Sequence, residues 1–229
     1  SRRQPPPSPV GSSDQNKVYS SWKVKVGHRS LSVDVEALRN ALLNMNGDEG
    51  KIRADANRGF NQSSFSNFVQ ALKSPELVGI ESRFEYIEEP LEIQSTGCFS
   101  LEKQVAALEE SFSEHSIPYA LDESVYDLLE LHDRDFSAVR EKLLEVFGES
   151  TRGCAALVLK PALLGLEMSL RLARFAREEL GMGAVFTSSF DSGIGLAYTS
   201  FLATVSDASS RNKNAPMFPH GLSTFGVMA

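Results

Sequence analysis

Short apolar or β-branched runs alternate along the chain with stretches whose apolar residues recur every three or four positions. Residues 22–26 read as a strand ending at Gly27. Residues 34–45 read as a helix, with Val35, Leu38, Leu42 and Met45 on one face and Gly47 just past its end. A strand over 51–54 precedes a helix that Ser64 can cap, carrying Phe65, Phe68, Val69 and Leu72 inward. Residues 84–87 form the next strand, stopped by Pro90. Ser100 opens a helix with Leu101, Val105, Leu108 and Phe112 inward, and Pro118 introduces a strand over 119–121. Residues 136–147 are helical until Gly148 breaks them. A strand over 155–159 runs into Lys160-Pro161, and a long helix over 164–180 closes at Gly181. A strand over 184–188, a helix over 194–205 and a polar loop over 206–219 follow, with 221–225 as the start of a last strand.

This is a βα repeat, which implies parallel strands joined by right-handed crossovers. The choice lies between an open doubly wound sheet and a closed barrel. No glycine-rich phosphate loop follows the first strand, which weighs against the nucleotide-binding open sheet. Residues 1–17 are rich in Pro, Ser, Gln and Asn and read as a disordered linker or tail, leaving 18–229 for the folded domain.

Composition narrows the class. The chain has 229 residues, 41% hydrophobic and 23% charged, which suits a soluble globular protein. A net charge of -7 argues against a nucleic-acid partner. No apolar run approaches the roughly 20 residues that span a bilayer. Cys98 and Cys154 have no metal-ligand spacing and read as reduced thiols.

The decisive pattern is where charge falls. Successive strands end in Lys25, Asp55, Glu88, Asp122 and Lys160, separated by 30, 33, 34 and 38 residues. A barrel of about 250 residues spends roughly 31 on each βα unit, and the C-terminal ends of its strands converge on one mouth. Three carboxylates brought together there repel one another, and a hard divalent cation resolves the conflict. Mg²⁺ takes oxygen ligands and keeps positions for water or substrate, so Asp55, Glu88 and Asp122 suit it, with no His or Cys nearby to favour zinc. Lys23 and Lys25 alternate with Val24 and Val26, so both lysines face one side and both valines the helix layer. A cation beside Lys25 favours its neutral, basic form, and Lys160 arrives from the far side of the carboxylates. A metal between two lysines suits removal of a proton alpha to a carboxylate, hence a small-molecule carboxylate substrate.

The ordered motifs Lys23-Val24-Lys25, Asp55-Ala56-Asn57, Glu88-Glu89-Pro90, Asp122-Glu123-Ser124 and Lys160-Pro161 resemble the enolase superfamily, in its muconate-lactonising-like branch. The resemblance implies a TIM-type (β/α) barrel with these motifs on its second to sixth strands. Within that superfamily the chain looks most like the o-succinylbenzoate synthases of menaquinone and phylloquinone biosynthesis. The runs 53–58, 86–90, 120–124 and 188–193 carry that likeness, and 220–225 resembles the eighth-strand motif, with Ser223 where many bacterial members have Asp. It implies a Mg²⁺ site (Mn²⁺ the alternative) held by Asp55, Glu88 and Asp122. Lys25 would be the base that removes the ring proton and then helps the hydroxyl leave. Lys160 would stabilise the enediolate from the opposite face. Lys23, Arg53, Asn57, Ser188 and Ser189 would be supporting or substrate-binding groups. Dipeptide epimerases and N-acylamino acid racemases share both lysines, but the epimerases usually carry an Asp-x-Asp pair on the eighth strand, and 221–225 has none. Mandelate-racemase-like members use a seventh-strand His as a base, which 188–193 lacks, and His28, His115, His132 and His220 read as structural or solvated.

The family's capping domain and first barrel strand have no counterpart before Tyr19, so the barrel is expected to be incomplete, with two exposed parallel edges. The alternative to an enzyme is therefore a non-catalytic barrel fragment. The linker-like start and residues 94–99 also suggest a module of a longer multifunctional plant or algal chain. That would place it in the chloroplast, and otherwise in the cytoplasm.

Overall fold

A computed structural model describes residues 21–45, 50–80, 82–93, 99–148, 152–189, 191–212 and 214–222. The predicted tail, Cys98, Ser223 and most of 94–99 lie outside them. Six strands pair in parallel and in chain order: β1 (Ser21–Lys25), β2 (Lys51–Asp55), β3 (Phe84–Glu88), β4 (Tyr119–Leu121), β5 (Cys154–Leu159) and β6 (Gly183–Phe186). They form a curled half-barrel with helices packed outside. Two isolated parallel bridges join Phe60 to Leu91 and Thr187 to Gly221, the latter where the sequence suggested a last strand. None of the described helices is long and apolar enough to cross a membrane.

The helices are α1 (Leu31–Asn44), α2 (Gln62–Leu72), α3 (Leu101–His115), α4 (Glu123–Leu131), α5 (Phe136–Phe147), α6 (Pro161–Leu164), α7 (Leu166–Glu178) and α8 (Gly193–Ser209). Three differ from the sequence reading for identifiable reasons. In α2, Asn61 is the cap: its side chain accepts from Ser64 N at 2.8 Å, and Ser64 Oγ accepts from Asn61 N at 3.0 Å. Ser64 is thus the inner partner of a reciprocal cap, and the helix starts earlier. The helix expected over 164–180 begins at Leu166, because Gly165 sits at φ 86° and ψ 156°, a conformation open to glycine alone, and separates it from the short helix α6. Helix α8 continues to Ser209, so the polar loop begins later than its composition suggested. Helix α4 is not among the helices that the sequence pattern indicated.

Strand alternation splits the apolar side chains between two places. Ile52, Ala54, Ile87, Leu121, Leu157, Leu159 and Phe186 face outward and pack on helix residues such as Leu38, Phe68, Leu108 and Leu172 in one continuous core. Facing the other way, Tyr86, Ala120, Ala156, Val158 and Val185 form a smaller inner cluster closed by Phe218. The Tyr86 and Phe218 rings meet edge to face at 5.3 Å. The inner layer stops at this level, and above it the strands carry charge.

Candidate active site

Register sets the charged layer. Lys25 pairs with Asp55 and Asp55 with Glu88 in the parallel ladder, so three strand-end groups stand side by side. Glu88 pairs with Ala120, and Asp122 follows two residues on, on the same face. A cavity of 470 Å³ opens here, lined by Lys23, Lys25, Arg53, Asp55, Asn57, Glu88, Lys160, Ser188 and Ser189 among others. Nine of the ten residues singled out from the sequence therefore line one cavity. The tenth, Asp122, reaches it through an ion pair with Lys160.

Lys23 Nζ lies 2.8 Å from Asp55 Oδ2 and 3.0 Å from Glu88 Oε1. Lys25 Nζ lies 2.7 Å from the same Asp55 oxygen and also bonds Asn57 Oδ1. Asn57 in turn donates to Glu123 Oε1 at 2.8 Å. Burial works against the Lys23 charge, but Glu88 and Asp55 outweigh it and hold its pKa above the ordinary value. Burial pushes Asp55 the other way, yet Lys23 and Lys25 keep it below the usual carboxylate range. Asp122 is driven well above that range, by burial first and then by the charge of Glu88, against the pull of Lys160. Lys23 is thus a bridge between two carboxylates, a role the sequence pattern did not show.

These ion pairs bear on a metal. Among the described residues, no three His, Cys, Asp or Glu side chains stand close enough together to hold one as placed, and a lysine pairs with one oxygen of each of the three carboxylates. The donor set nevertheless fits a hard divalent cation. All three groups are carboxylates, Asp55 Oδ1 is buried with no partner, and Asp122 is charged only at a cost.

Below the charged layer, the Arg53 guanidinium lies 5.0 Å from the Tyr86 ring centre and pairs with Glu85. It forms the polar floor of the cavity. Behind the mouth, on the helix side of the sheet, stands Glu89, which sequence reasoning left unassigned. It is fully buried, and its carboxyl group is pushed up by burial against the pull of Arg58. Strand alternation was the available signal: if Glu88 faces the mouth, Glu89 must face the helix layer, where a carboxylate requires partners.

In a structural comparison the chain superposes on the crystal structure of MenC from Desulfotalea psychrophila with a TM-score of 0.63 at 22% identity, covering 91% of this chain and 48% of that one. The chain has the fold of an enolase-superfamily barrel. Two other superfamily barrels align similarly. An o-succinylbenzoate synthase from Thermosynechococcus elongatus, complexed with Mg in its active site, gives a TM-score of 0.55 at 20% identity, over 90% of this chain and 52% of that one. The L-Ala-D/L-Glu epimerase of Bacillus subtilis gives 0.62 at 19% identity, over 89% and 46%. By sequence, the chain is 28% identical over 215 residues to Protein PHYLLO, chloroplastic, of Arabidopsis thaliana, covering 90% of this chain and 11% of that protein. It is also 28% identical over 204 residues to the o-succinylbenzoate synthase of Yersinia enterocolitica, covering 86% and 53%. No family model matches the chain. The chain therefore spans about half the length of the bacterial synthase and about a tenth of the Arabidopsis protein.

Proposed function

We propose that this barrel carries out the o-succinylbenzoate synthase reaction, removing a proton alpha to a carboxylate and eliminating water from a succinyl-hydroxy-cyclohexadiene carboxylate. The observation that carries this reading is that Lys25 and Lys160 reach one carboxylate cluster from β1 and from the end of β5, and both line one cavity. Lys25 takes the ring proton, and the electron pair of the broken C–H bond delocalises into the adjacent carboxylate. Lys25 then delivers that proton to the hydroxyl as its C–O bond breaks, and water leaves. The Lys160 cation faces the ring from the other side and balances the negative charge that develops. Asp55, Glu88 and Asp122 would hold Mg²⁺, or Mn²⁺ in its place, which when bound supplies positive charge against the substrate carboxylate. Lys23 holds Asp55 and Glu88 together, while Arg53, Asn57, Ser188 and Ser189 shape the cavity that orients the substrate.

The sequence relatives support a synthase, and the much longer chloroplastic relative supports a module of a larger plastid polypeptide. A cytoplasmic location goes with a free-standing bacterial-type enzyme. The epimerase likeness in fold keeps one other reaction in view, reversible proton transfer at an N-acyl amino acid or dipeptide. The test is dehydration of the cyclohexadiene substrate by the longest polypeptide that contains this chain. Turnover should fall at least about 100-fold in Lys25→Ala and in Lys160→Ala. Racemisation of an N-acyl amino acid without dehydration favours the epimerase, and neither activity leaves the non-catalytic fragment.

A further inference from the structure

Asp122, which reaches the cavity through Lys160, holds an unusual position for a carboxylate. It is the N-cap residue of α4, yet its side chain makes no capping bond. Asp is among the favoured N-cap residues because its carboxylate ordinarily accepts from the backbone two or three residues on. A carboxylate so engaged turns toward its own helix and away from the mouth. Here it is free, and it pairs with Lys160 instead.

The missing cap comes from another strand. Glu89 Oε2 accepts from the backbone N–H of Asp122 at 2.9 Å and of Ser124 at 3.2 Å. These are the N-cap and second helical amides, the donors left over at a helix start. Glu89 Oε1 accepts from Ser124 Oγ, from Gln104 Nε2 at 2.9 Å and from Arg58 Nε at 3.2 Å. Arg58 also reaches Asp127 at 2.6 Å, on the second turn of α4. The main chain continues the brace: Glu89 N donates to Ala120 O at 2.9 Å, and Arg58 N donates to Glu89 O at 2.7 Å. Glu89 lies at φ 40°, and Asn57 and Arg58 at φ 42° and 62°, so three non-glycine residues near the mouth are held in the left-handed region. Such backbone persists where the surroundings enforce it.

We propose that Glu89 is a positioning residue that caps α4 in place of Asp122, and so leaves the Asp122 carboxylate free to face the mouth as a metal ligand. The inference rests on the reading of Asp55, Glu88 and Asp122 as a cation site. Without the Glu89 carboxylate the Ser124 amide is orphaned, and the carboxylate of Asp122, at the N-cap position, is of the type that accepts from such an amide. A carboxylate turned back to accept from that amide is turned away from Lys160 and the mouth.

The experiment is Mn²⁺ binding to the purified chain, read by electron paramagnetic resonance, with thermal unfolding in parallel. Glu89→Gln loses the charge and presents an amide group to donors, and it should weaken Mn²⁺ binding by about 10–100-fold, the usual effect of disturbing a residue that orients a ligand. Gln104→Ala removes a donor from the far oxygen of Glu89 and should lower the melting temperature while leaving Mn²⁺ affinity unchanged. Equal weakening in both variants, or a Glu89→Gln protein that melts lower but binds Mn²⁺ as the wild type does, overturns the proposal. No Mn²⁺ binding by the wild-type chain overturns the cation site itself, and the proposal with it. Hydrogen exchange on the wild type tests the capping bond without any variant: the Ser124 amide should be protected like the strand amides, and free exchange there also overturns it.

Discussion

The imidazole of His220 accepts the backbone N–H of Phe186 through Nδ1 at 3.0 Å. That places the ring proton on Nε2, which lies 3.1 Å from Asp207 Oδ2. Asp207 Oδ1 in turn bonds the buried Arg177 at 2.6 Å. His220 therefore satisfies a donor of β6 and docks the segment that supplies Gly221 to the cavity rim. Burial lowers its pKa first; Asp207 raises it, while Arg177 and Arg53 lower it further, and the net shift is downward. The folded pKa thus lies below the unfolded value of about 6.5. The stability His220 contributes is fully present above that value and is lost as pH falls through the folded pKa. The melting temperature should drop as pH falls below about 6.5, and His220→Gln, which keeps an acceptor but does not titrate, should flatten that drop.

Mg²⁺ should stabilise the chain through its carboxylates. The buried, unpartnered Asp55 Oδ1 is the oxygen best placed to gain from a cation. A cation concentration 100-fold above its dissociation constant adds about 2.7 kcal/mol of stability. A thermal melt against Mg²⁺ concentration should show this as a saturable rise that Asp55→Asn abolishes. A rise of equal size in the variant would place the cation elsewhere.

The break between α6 and α7 should be sensitive to a single methyl group. Gly165 has open space around its missing Cβ, so the cost of Gly165→Ala is one of backbone conformation alone. About 1–3 kcal/mol of destabilisation is expected in urea unfolding. A neutral substitution would mean that the two helices merge without penalty.

Arg177 should be the most costly polar side chain to remove on the α7–α8 side. It is 2% exposed and bonds Ser206 Oγ at 2.7 Å, Ala184 O at 3.0 Å and Asp207. Arg177→Met should cost about 2–3 kcal/mol, less than breaking a fully buried pair because Asp207 keeps partial contact with water. The same unfolding experiment measures it.

Much of the fold was legible because strand and helix periods differ so sharply. The alternation of Lys23 and Lys25 with Val24 and Val26 correctly gave two faces of β1, and Val26 is buried against the helices while both lysines line the cavity. Helix boundaries were less legible. Ser64 and Asn61 are both good caps, and only their reciprocal bonds identify which is outermost. The start of α7 after Gly165 was hidden because glycine within an apolar stretch is compatible with a helix until its backbone angles are known.

The sequence by itself determined the order of strands and helices, the side of each strand on which charge falls and the level at which five charged residues meet. It could do so because period and spacing along a chain translate directly into direction and height in a parallel barrel. The tertiary structure alone decided which charge answers which: Lys23 between Asp55 and Glu88, Lys160 on Asp122, and Glu89 capping a helix that begins 34 residues further along the chain. Those pairings depend on hydrogen-bond distances between residues remote in sequence. Their worth depends on burial, and neither quantity exists until the sheet has curled and the helices have closed over it.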